Sequence, residues 1–287
     1  MFVAHRNLLF TVAYEMLGSA ADAEDVLQET WLRWVNVDLD TVRDRRAYLV
    51  RITTRQALNR LRTMSRRKEA YVGPWLPEPL LTAPDVAEDV ELAESMSMAM
   101  MLVLETLAPT ERAVFVLREV FDVGYEEIAA AVDKSPAAVR QIAHRARRHV
   151  DARRPRQSVS PSETRAALES FRRAFETGDL QGLLDVLAPE VVYMGDGGGI
   201  KHAALRPIVG ADKVARLFAG MADRAGNVLT FGPAVVNGTP ALVVHLGGEF
   251  DGVVAVHVVD GRITGLYFVR NPEKLSHVAS ETPLTRR

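Results

Sequence analysis

Cysteine is absent from all 287 residues of the chain, which excludes a disulfide framework and any thiolate metal site. No apolar run approaches the roughly 18 residues that a bilayer-spanning helix needs. The opening stretch MFVAHRNLLFTVAYEMLG is too polar and too regularly amphipathic for a signal peptide. The expectation is a soluble, cytoplasmic protein with no membrane partner. Net charge is scarce too: the balance is −2, so any basic character has to be local. Core material is plentiful. Hydrophobic residues make up 48% of the chain, enough at this length for two or three packed domains.

The most informative stretch is 107–149, LAPTERAVFVLREVFDVGYEEIAAAVDKSPAAVRQIAHRARRH. It reads as a helix over 109–119, a short helix over 125–132, a turn at Asp133-Lys134-Ser135 and a helix from Pro136, preceded by a helical turn at 100–107. Ser135 is placed to cap the last helix, and Pro136 occupies its first position, where a missing N–H costs nothing. Val139, Ile142, Ala143, Ala146 and Val150 share one face at a 3.6-residue period. The other face carries Ala137, Gln141, His144 and Arg148, flanked by Arg140 and Arg145. A short helix, a tight turn and a second helix with a hydrogen-bonding outer face is the helix-turn-helix arrangement for the DNA major groove. An amphipathic pair with merely solvated arginines would show the same period. Charge density favours DNA: Arg140, Arg145, Arg147, Arg148, Arg153, Arg154 and Arg156 stand against Asp151 only, and phosphate neutralisation dominates nonspecific DNA affinity.

Upstream, 5–17 forms a helix with Leu8, Leu9, Val12, Ala13, Met16 and Leu17 inward, ended by Gly18. Ser19, with Asp22 three residues on, opens a second helix in a variant of the capping box. Its apolar stripe is Ala23, Val26, Leu27, Thr30, Trp31 and Trp34, which leaves Asp22, Asp25, Gln28 and Glu29 outside. The helical segment 43–68 carries Arg43, Arg45, Arg46, Arg51, Arg55, Arg60, Arg62, Arg66, Arg67 and Lys68, with only Asp44 opposing. Tyr48, Leu49, Ile52, Ala57, Leu58 and Leu61 supply its apolar period. A basic helix with aromatics nearby suits a nucleic-acid strand, because arginines track phosphates and aromatic faces accept bases.

AEDVLQETWLRW followed by RAYLVRITTRQALNRLR resembles the second conserved region of bacterial sigma factors. GYEEIAAAVDKSPAAVRQIAHRAR resembles their fourth region. Both occur in the right order with no bulky segment between, as in the extracytoplasmic-function sigma factors. The resemblance implies that Asp25, Gln28 and Glu29 dock on the clamp helices of the β′ subunit of core RNA polymerase. It implies that the basic helix, through Arg51, Arg55, Asn59, Arg60 and Arg62, binds and opens the −10 element. The helix from Pro136, with Ser135, Ala137, Arg140, Gln141, His144, Arg145 and Arg148, would read the −35 element of promoter DNA. The family often has Asp where this chain has Asn59.

Between these regions YVGPWLPEPLLTAPD is rich in proline and therefore extended. Its GPWLPEP matches a motif of the sigma-factor subgroup that carries an extra C-terminal domain. Asp85, Glu88, Asp89, Glu91 and Glu94 then open a helix running to about Glu105, whose Met96, Met100 and Met101 read as core packing. A second linker spans 151–161. Beyond it, helices are expected at 163–176, 180–187 and 211–224, and strands at 191–194, 228–231, 241–246, 253–259 and 263–269, an α+β pattern. FRRAFETGDLQGLLDVLAPEVVYMGDGGG resembles the SnoaL-like branch of the cone-shaped fold typified by nuclear transport factor 2. The subgroup usually has Lys directly after the glycines. Here Ile200 intervenes and Lys201 follows, which turns the ammonium to the other side of an extended strand.

The expected organisation is multidomain: two all-α sigma-factor domains, the second with a helix-turn-helix, followed by an α+β cone-shaped SnoaL-like domain. Expected boundaries are 1–70 for region 2, 71–90 for the proline-rich linker, 91–152 for region 4, 153–161 for the second linker and 162–287 for the third domain. Function follows as promoter-specific transcription initiation, regulated in cis by the third domain. The regulatory interface is placed at Trp75, Leu76, Pro77, Glu78 and Pro79, at Asp196, Gly197, Gly198 and Gly199, and at Asn271, Pro272, Glu273, Lys274 and Leu275. Two other readings share the motifs: a ligand-sensing helix-turn-helix regulator acting without core polymerase, and a SnoaL-like cyclase or isomerase with DNA-binding appendages. For the latter Tyr193, Asp196, His202, His245, Glu249 and His257 would supply acid/base groups. Each histidine is isolated in sequence, with no nucleophile-elbow or metal spacing, so no catalysis, cofactor or metal is expected. A small ligand in the C-terminal pocket is left open as a further partner.

Overall fold

The structure, a computed structural model, describes residues 2–83, 90–153, 160–225 and 228–286. The acidic positions Asp85, Glu88 and Asp89 and the basic positions Arg154 and Arg156 lie outside the described residues. No helix in the described part is long and apolar enough to cross a membrane. The chain divides into two compact units: 1–70 with 100–154 and 283–287, and 71–99 with 155–282.

In the first unit α1 (Phe2–Leu17), α2 (Ala20–Trp34) and α3 (Arg45–Glu69) pack around the expected Leu8, Leu9, Val12, Ala13, Met16 and Leu17, all buried. Local signals act as written. Gly18 closes α1 at φ +68°, the Ser19 hydroxyl accepts from the Asp22 amide at 3.1 Å, and Asp44 caps α3 by accepting from the Ala47 amide at 2.9 Å. Two expectations fail on α2. Asp22, expected outside, is only 4% exposed because Arg60 of α3 reaches it at 2.6 Å. Trp31, expected in the apolar stripe, is 44% exposed and stands edge-on to Phe2 at 5.1 Å. Leu27 and Trp34, one turn to either side, are buried instead.

α4 (Val90–Met96) and α5 (Met98–Glu105) replace the single helix expected to Glu105, and the methionines Met96, Met100 and Met101 are buried as expected. α6 (Pro109–Phe115) runs into a π-helical turn, Val116–Val120, so the helix expected over 109–119 widens in its second half. α7 (Tyr125–Val132) ends at Asp133, in the left-handed region at φ +55°. Ser135 then caps α8 (Pro136–Asp151) by accepting from the Ala138 amide at 3.2 Å. Arg112 of α6 ties this helical set to α1. It is 2% exposed, donates to the Glu15 carbonyl at 3.1 and 3.0 Å, and pairs with Glu105 at 2.6 Å. Its guanidinium thereby satisfies an orphan carbonyl at the negative end of the α1 dipole. The C-terminal tail also joins this unit, with the Thr285 amide donating to the Thr11 hydroxyl at 3.1 Å.

The second unit is α+β, as expected. α9 (Pro161–Glu176), α10 (Leu180–Val186) and α11 (Ala211–Ala225) accompany β1 (Leu187–Asp196), β2 (Ile208–Val209), β3 (Leu229–Val236), β4 (Thr239–Leu246), β5 (Glu249–Val259) and β6 (Arg262–Val269). The sheet order is β2-β1-β6-β5-β4-β3, antiparallel except for β1 beside β6. Register shifts at Leu187/Val192, Val244/His245 and His257/Val258 curve it, and Phe171, Phe175 and Phe218 of the helices fill one face. β3 runs five residues beyond the expected 228–231. The turn that ends it, Asn237-Gly238 with both φ positive, is a strong hairpin signal that the strand assignment missed. The proline-rich segment belongs to this unit. Leu81 bridges Val236, and Leu80 exchanges bonds with Asn237 at 2.8 and 2.9 Å.

Burial alone would raise the Glu105 carboxyl, but Arg112 and Lys68 together hold it below its ordinary value. A depressed folded-state value gives stability that is complete above the unfolded pKa, roughly 4.3, and is lost as pH falls through the folded one. Arg112→Ala is expected to destabilise the first unit by about 3–5 kcal/mol, since it leaves a buried carboxylate facing only Lys68. A urea-unfolding midpoint unchanged at pH 7 would refute that assignment.

Candidate functional site

The outer face of α8 is open. Ala137, Arg140, Gln141, His144, Arg145 and Arg148 are all exposed, while Val139, Ile142, Ala143, Ala146 and Val150 are buried beneath them. The exposed set recurs at 137, 141, 144 and 148, one stripe of about three turns, with the Ser135 cap at its end. Tyr125 supports it from α7, its ring 5.9 Å from the Arg140 guanidinium. Arg147 is turned away from that stripe and bound to Glu119 at 2.7 Å, a pairing that raises its pKa further. Hydrogen-bonding to Glu119 is the main cause. Arg145 makes only a long contact with Glu111, at 3.6 Å. α8 therefore presents amide, imidazole and guanidinium donors on a rigid rod, the chemistry that reads base edges in a major groove.

α3 divides its charges differently. Arg51 lies over the Tyr48 ring at 4.8 Å, and Asn59 and Arg62 are exposed and bonded to each other at 3.3 Å. Arg55 donates to the Ala130 carbonyl at 2.8 Å and the Ala131 carbonyl at 3.4 Å, at the C-terminal end of α7. Arg60 is held by Asp22 and Asp25. Burial would lower its pKa, and the two carboxylates reverse that. On α2, Asp25 thus accepts from Arg60 and Glu29 from Gln56 at 2.7 Å, while Gln28 stays exposed on the same face. The expected nucleic-acid residues are brought onto two surfaces, and in this conformation Arg55 and Arg60 are engaged by protein partners.

In the second unit three motifs far apart in sequence meet at one carboxylate. Asp196, 0% exposed, accepts from the Tyr71 hydroxyl, the Leu76 amide at 2.9 Å, the Gly198 amide at 3.1 Å and the Lys274 ammonium at 2.7 Å. Lys274 also donates to the Leu76 carbonyl at 2.7 Å and lies 3.4 Å from the Trp75 ring centre. Asn271 donates to the Tyr71 hydroxyl at 2.8 Å and caps the turn Pro272–Lys274. Burial and the bond to Asp196 drive the Tyr71 pKa upward, so its hydroxyl stays a donor. Glycine is required here: a Cβ on Gly197 would lie 2.0 Å from the Lys201 carbonyl oxygen, and one on Gly198, at φ +62°, 2.4 Å from the Asn271 amide. Leu76, Pro77, Glu78 and Pro79 are buried, whereas Gly199, Pro272 and Glu273 are exposed and Leu275 is half-buried. Tyr71 is the member that sequence reasoning missed. Its place just before GPWLPEP was the available signal.

Lys201, one place later than the subgroup pattern, pairs with Asp251 at 3.2 Å beside Arg270 at 2.8 Å. Burial alone would raise the Asp251 carboxyl, and the two cations hold it down instead. The six acid/base candidates are scattered. Asp196 is fully bonded, His245 packs on Phe250 at 5.9 Å, and Glu249 is exposed. His257 is kept neutral by burial despite the field of Glu94, and its Nε2 has no partner among the described residues. Tyr193 and His202 line one cavity together. No group of His, Asp or Glu among the described residues is arranged to hold a metal.

Comparison with known proteins agrees with this geometry. Residues 1–67 match the family model Sigma-70 region 2, and 97–150 match Sigma-70, region 4. The ECF RNA polymerase sigma factor SigJ of Mycobacterium tuberculosis (strain ATCC 25618 / H37Rv) is 38% identical over 290 residues, covering 96% of this chain and 92% of that protein. The probable ECF RNA polymerase sigma factor SigI of the same strain is 32% identical over 281 residues, 97% and 94% of the two chains. The crystal structure of Mycobacterium tuberculosis extracytoplasmic function sigma factor SigJ superposes with a TM-score of 0.78 and 33% identity over 98% of each chain, the C-terminal α+β domain included. Sigma factors bind core RNA polymerase and promoter DNA and are not enzymes, so the scattered histidines of the third domain need no catalytic role. The chain belongs to the extracytoplasmic-function RNA polymerase sigma factors, those with an α+β domain fused behind the two helical ones.

Proposed function

We propose that the chain, working in the cytoplasm with core RNA polymerase, controls its own promoter recognition through the third domain. In this reading the α2 face with Asp25, Gln28 and Glu29 meets the β′ clamp. The α3 residues Arg51, Arg55, Asn59, Arg60 and Arg62 serve the −10 element, and α8 reads the −35 element with Ser135, Ala137, Arg140, Gln141, His144, Arg145 and Arg148. The working boundaries are region 2 at 1–70, region 4 at 91–152 and the third domain at 162–287, with linkers at 71–90 and 153–161.

The observation that carries regulation in cis is the capture of the first linker. Residues 71–90 join region 2 to region 4, and a −10 and a −35 helix act together only at the spacing that linker allows. Tyr71, Trp75 and Leu76 are held by Asp196 and Lys274 of the third domain. Tethering supports this, because attachment by short linkers gives effective concentrations up to about millimolar and keeps even a weak contact occupied. Holding or releasing the linker then sets how the two DNA-binding helices are spaced. Arg55 and Arg60 fit the same picture, since both have to leave protein partners before they can reach phosphate.

Two outcomes follow. Arg145→Ala is expected to weaken binding to −35 duplex DNA by about 1–3 kcal/mol, roughly 5- to 150-fold, and to relax preference at the base it contacts. An unchanged affinity and base preference in a titration would remove Arg145 from the reading face. Asp196→Asn takes the buried partner from Lys274 and is expected to destabilise the third domain by about 3–5 kcal/mol. Hydrogen exchange at the Leu76 amide should accelerate, and runoff transcription with core polymerase should depart from wild type. Identical transcription from wild type, Asp196→Asn and a chain ending at Arg153 would make the third domain a passenger.

A further inference from the structure

The second unit carries an open-mouthed cavity of about 420 Å3 between α11, the loop after the glycines and the strands β1, β3 and β4. That size is usual for a small-molecule site. Leu217 and Met221 of α11 line it with Leu229 and Leu246, which face each other across the β3–β4 ladder. A polar group on its wall is Tyr193 of β1. This ring is 3% exposed and stands edge-on to Phe218 at 5.5 Å, and its hydroxyl has no hydrogen-bond partner among the described residues. The hydroxyl oxygen is not itself sealed in the core: Tyr193 lines the cavity, where the hydroxyl can donate to an arriving acceptor. The tyrosine fits because the residue two positions on is glycine: a Cβ on Gly195 would lie 2.6 Å from the hydroxyl oxygen. Burial pushes the phenol up to about 12, so it is a neutral donor at any physiological pH.

The charge around the cavity has one sign. Arg224, one turn beyond Met221, lines it and makes no ion pair among the described residues. Arg270 also lines it, tied to Asp251 and to the His202 carbonyl, and no acidic side chain is among the described residues of the wall. A mostly apolar wall with cationic side chains and a free phenolic donor selects against amines and for an anion with an apolar body. We propose that this cavity binds a small amphipathic carboxylate, whose head accepts from the Tyr193 hydroxyl and is countered by Arg224 while its body lies against Leu217, Met221 and Leu229. This deepens the reading of the third domain as the regulatory part. Because binding is measured without polymerase or DNA, failure of either idea is seen separately.

The test uses the full chain, titrated calorimetrically with decanoate and with decanol, which share one apolar body and differ in the charged head. Saturable decanoate binding, about tenfold or more tighter than decanol, is the expected result. Tyr193→Phe should weaken decanoate about tenfold, as loss of a hydrogen bond to a charged group does. Arg224→Ala, an exposed change at the end of α11, should bring the acid and the alcohol level. Met221→Trp, which fills the cavity, should abolish binding of both, with thermal unfolding of each variant confirming that it folds. Absence of saturable decanoate binding, equal affinity for acid and alcohol, or an affinity that none of the three substitutions moves would each overturn the proposal.

Discussion

The second unit depends on one buried ion pair, Asp196 with Lys274. Removing two charges from water costs several kcal/mol per ion, so the pair persists only where other groups complete the solvation. Here they do. The carboxylate takes two backbone amides and a phenol besides the ammonium, and the ammonium takes a backbone carbonyl and the faces of Trp75 and Tyr71. The four donors to the carboxylate come from three parts of the chain: two from the linker, one from the glycine turn after β1 and one from the segment after β6. A hydrophobic cluster of equal volume could supply as much stability. It would not specify which linker residue sits where, because apolar packing has no direction, whereas a carboxylate with four fixed donors has one satisfied arrangement.

Arginine plays the corresponding part in the first unit, and its roles there are sharply divided. Arg112 caps a helix end from within the core, Arg147 and Arg60 answer carboxylates, and Arg55 answers two carbonyls. Those left on the outer faces are the likes of Arg145 and Arg148 on α8 and Arg62 on α3. A count of basic residues therefore overstates the DNA-facing surface. What identifies that surface is the register of the exposed residues on a capped helix. The guanidinium suits both tasks because its five donors are spread in a plane, and a helix terminus, a carboxylate or a base edge can each accept from it.

Much of this was legible from sequence where the signal is local. Ser19 and Ser135 cap as their positions require, and the inward face of α8 follows the 3.6-residue period, whereas α1 is buried all round from Leu8 to Leu17, Thr11 and Glu15 included. The α+β character of the third domain was equally plain from the change of period. Its hairpins were less so, since β3 alternates weakly and the Asn237-Gly238 turn was the better marker. What failed was everything set by a neighbouring element. Periodicity placed Asp22 outside and Trp31 inside, because it ranks residues by polarity and cannot see that Arg60 arrives on one side or that Leu27 and Trp34 are buried in place of Trp31. Likewise the motifs GPWLPEP, DGGG and NPEKL could be named singly, while their meeting point at Asp196 is a long-range fact.

The same knot explains why a fold with a pocket and several acid/base residues does no chemistry here. A general base needs a free lone pair within reach of substrate. Asp196, the carboxylate nearest the family motif, directs its oxygens at a phenol, two amides and an ammonium inside the protein, and none of its surface is open. His257 and His245 are half-buried, the Nε2 of His257 having no partner among the described residues, and Glu249 is exposed at the β4–β5 turn. Asp196 is thus committed to holding the linker. The cavity wall is left with Tyr193, His202 and the two arginines Arg224 and Arg270, a donor and positive charge that fit the binding of an acid.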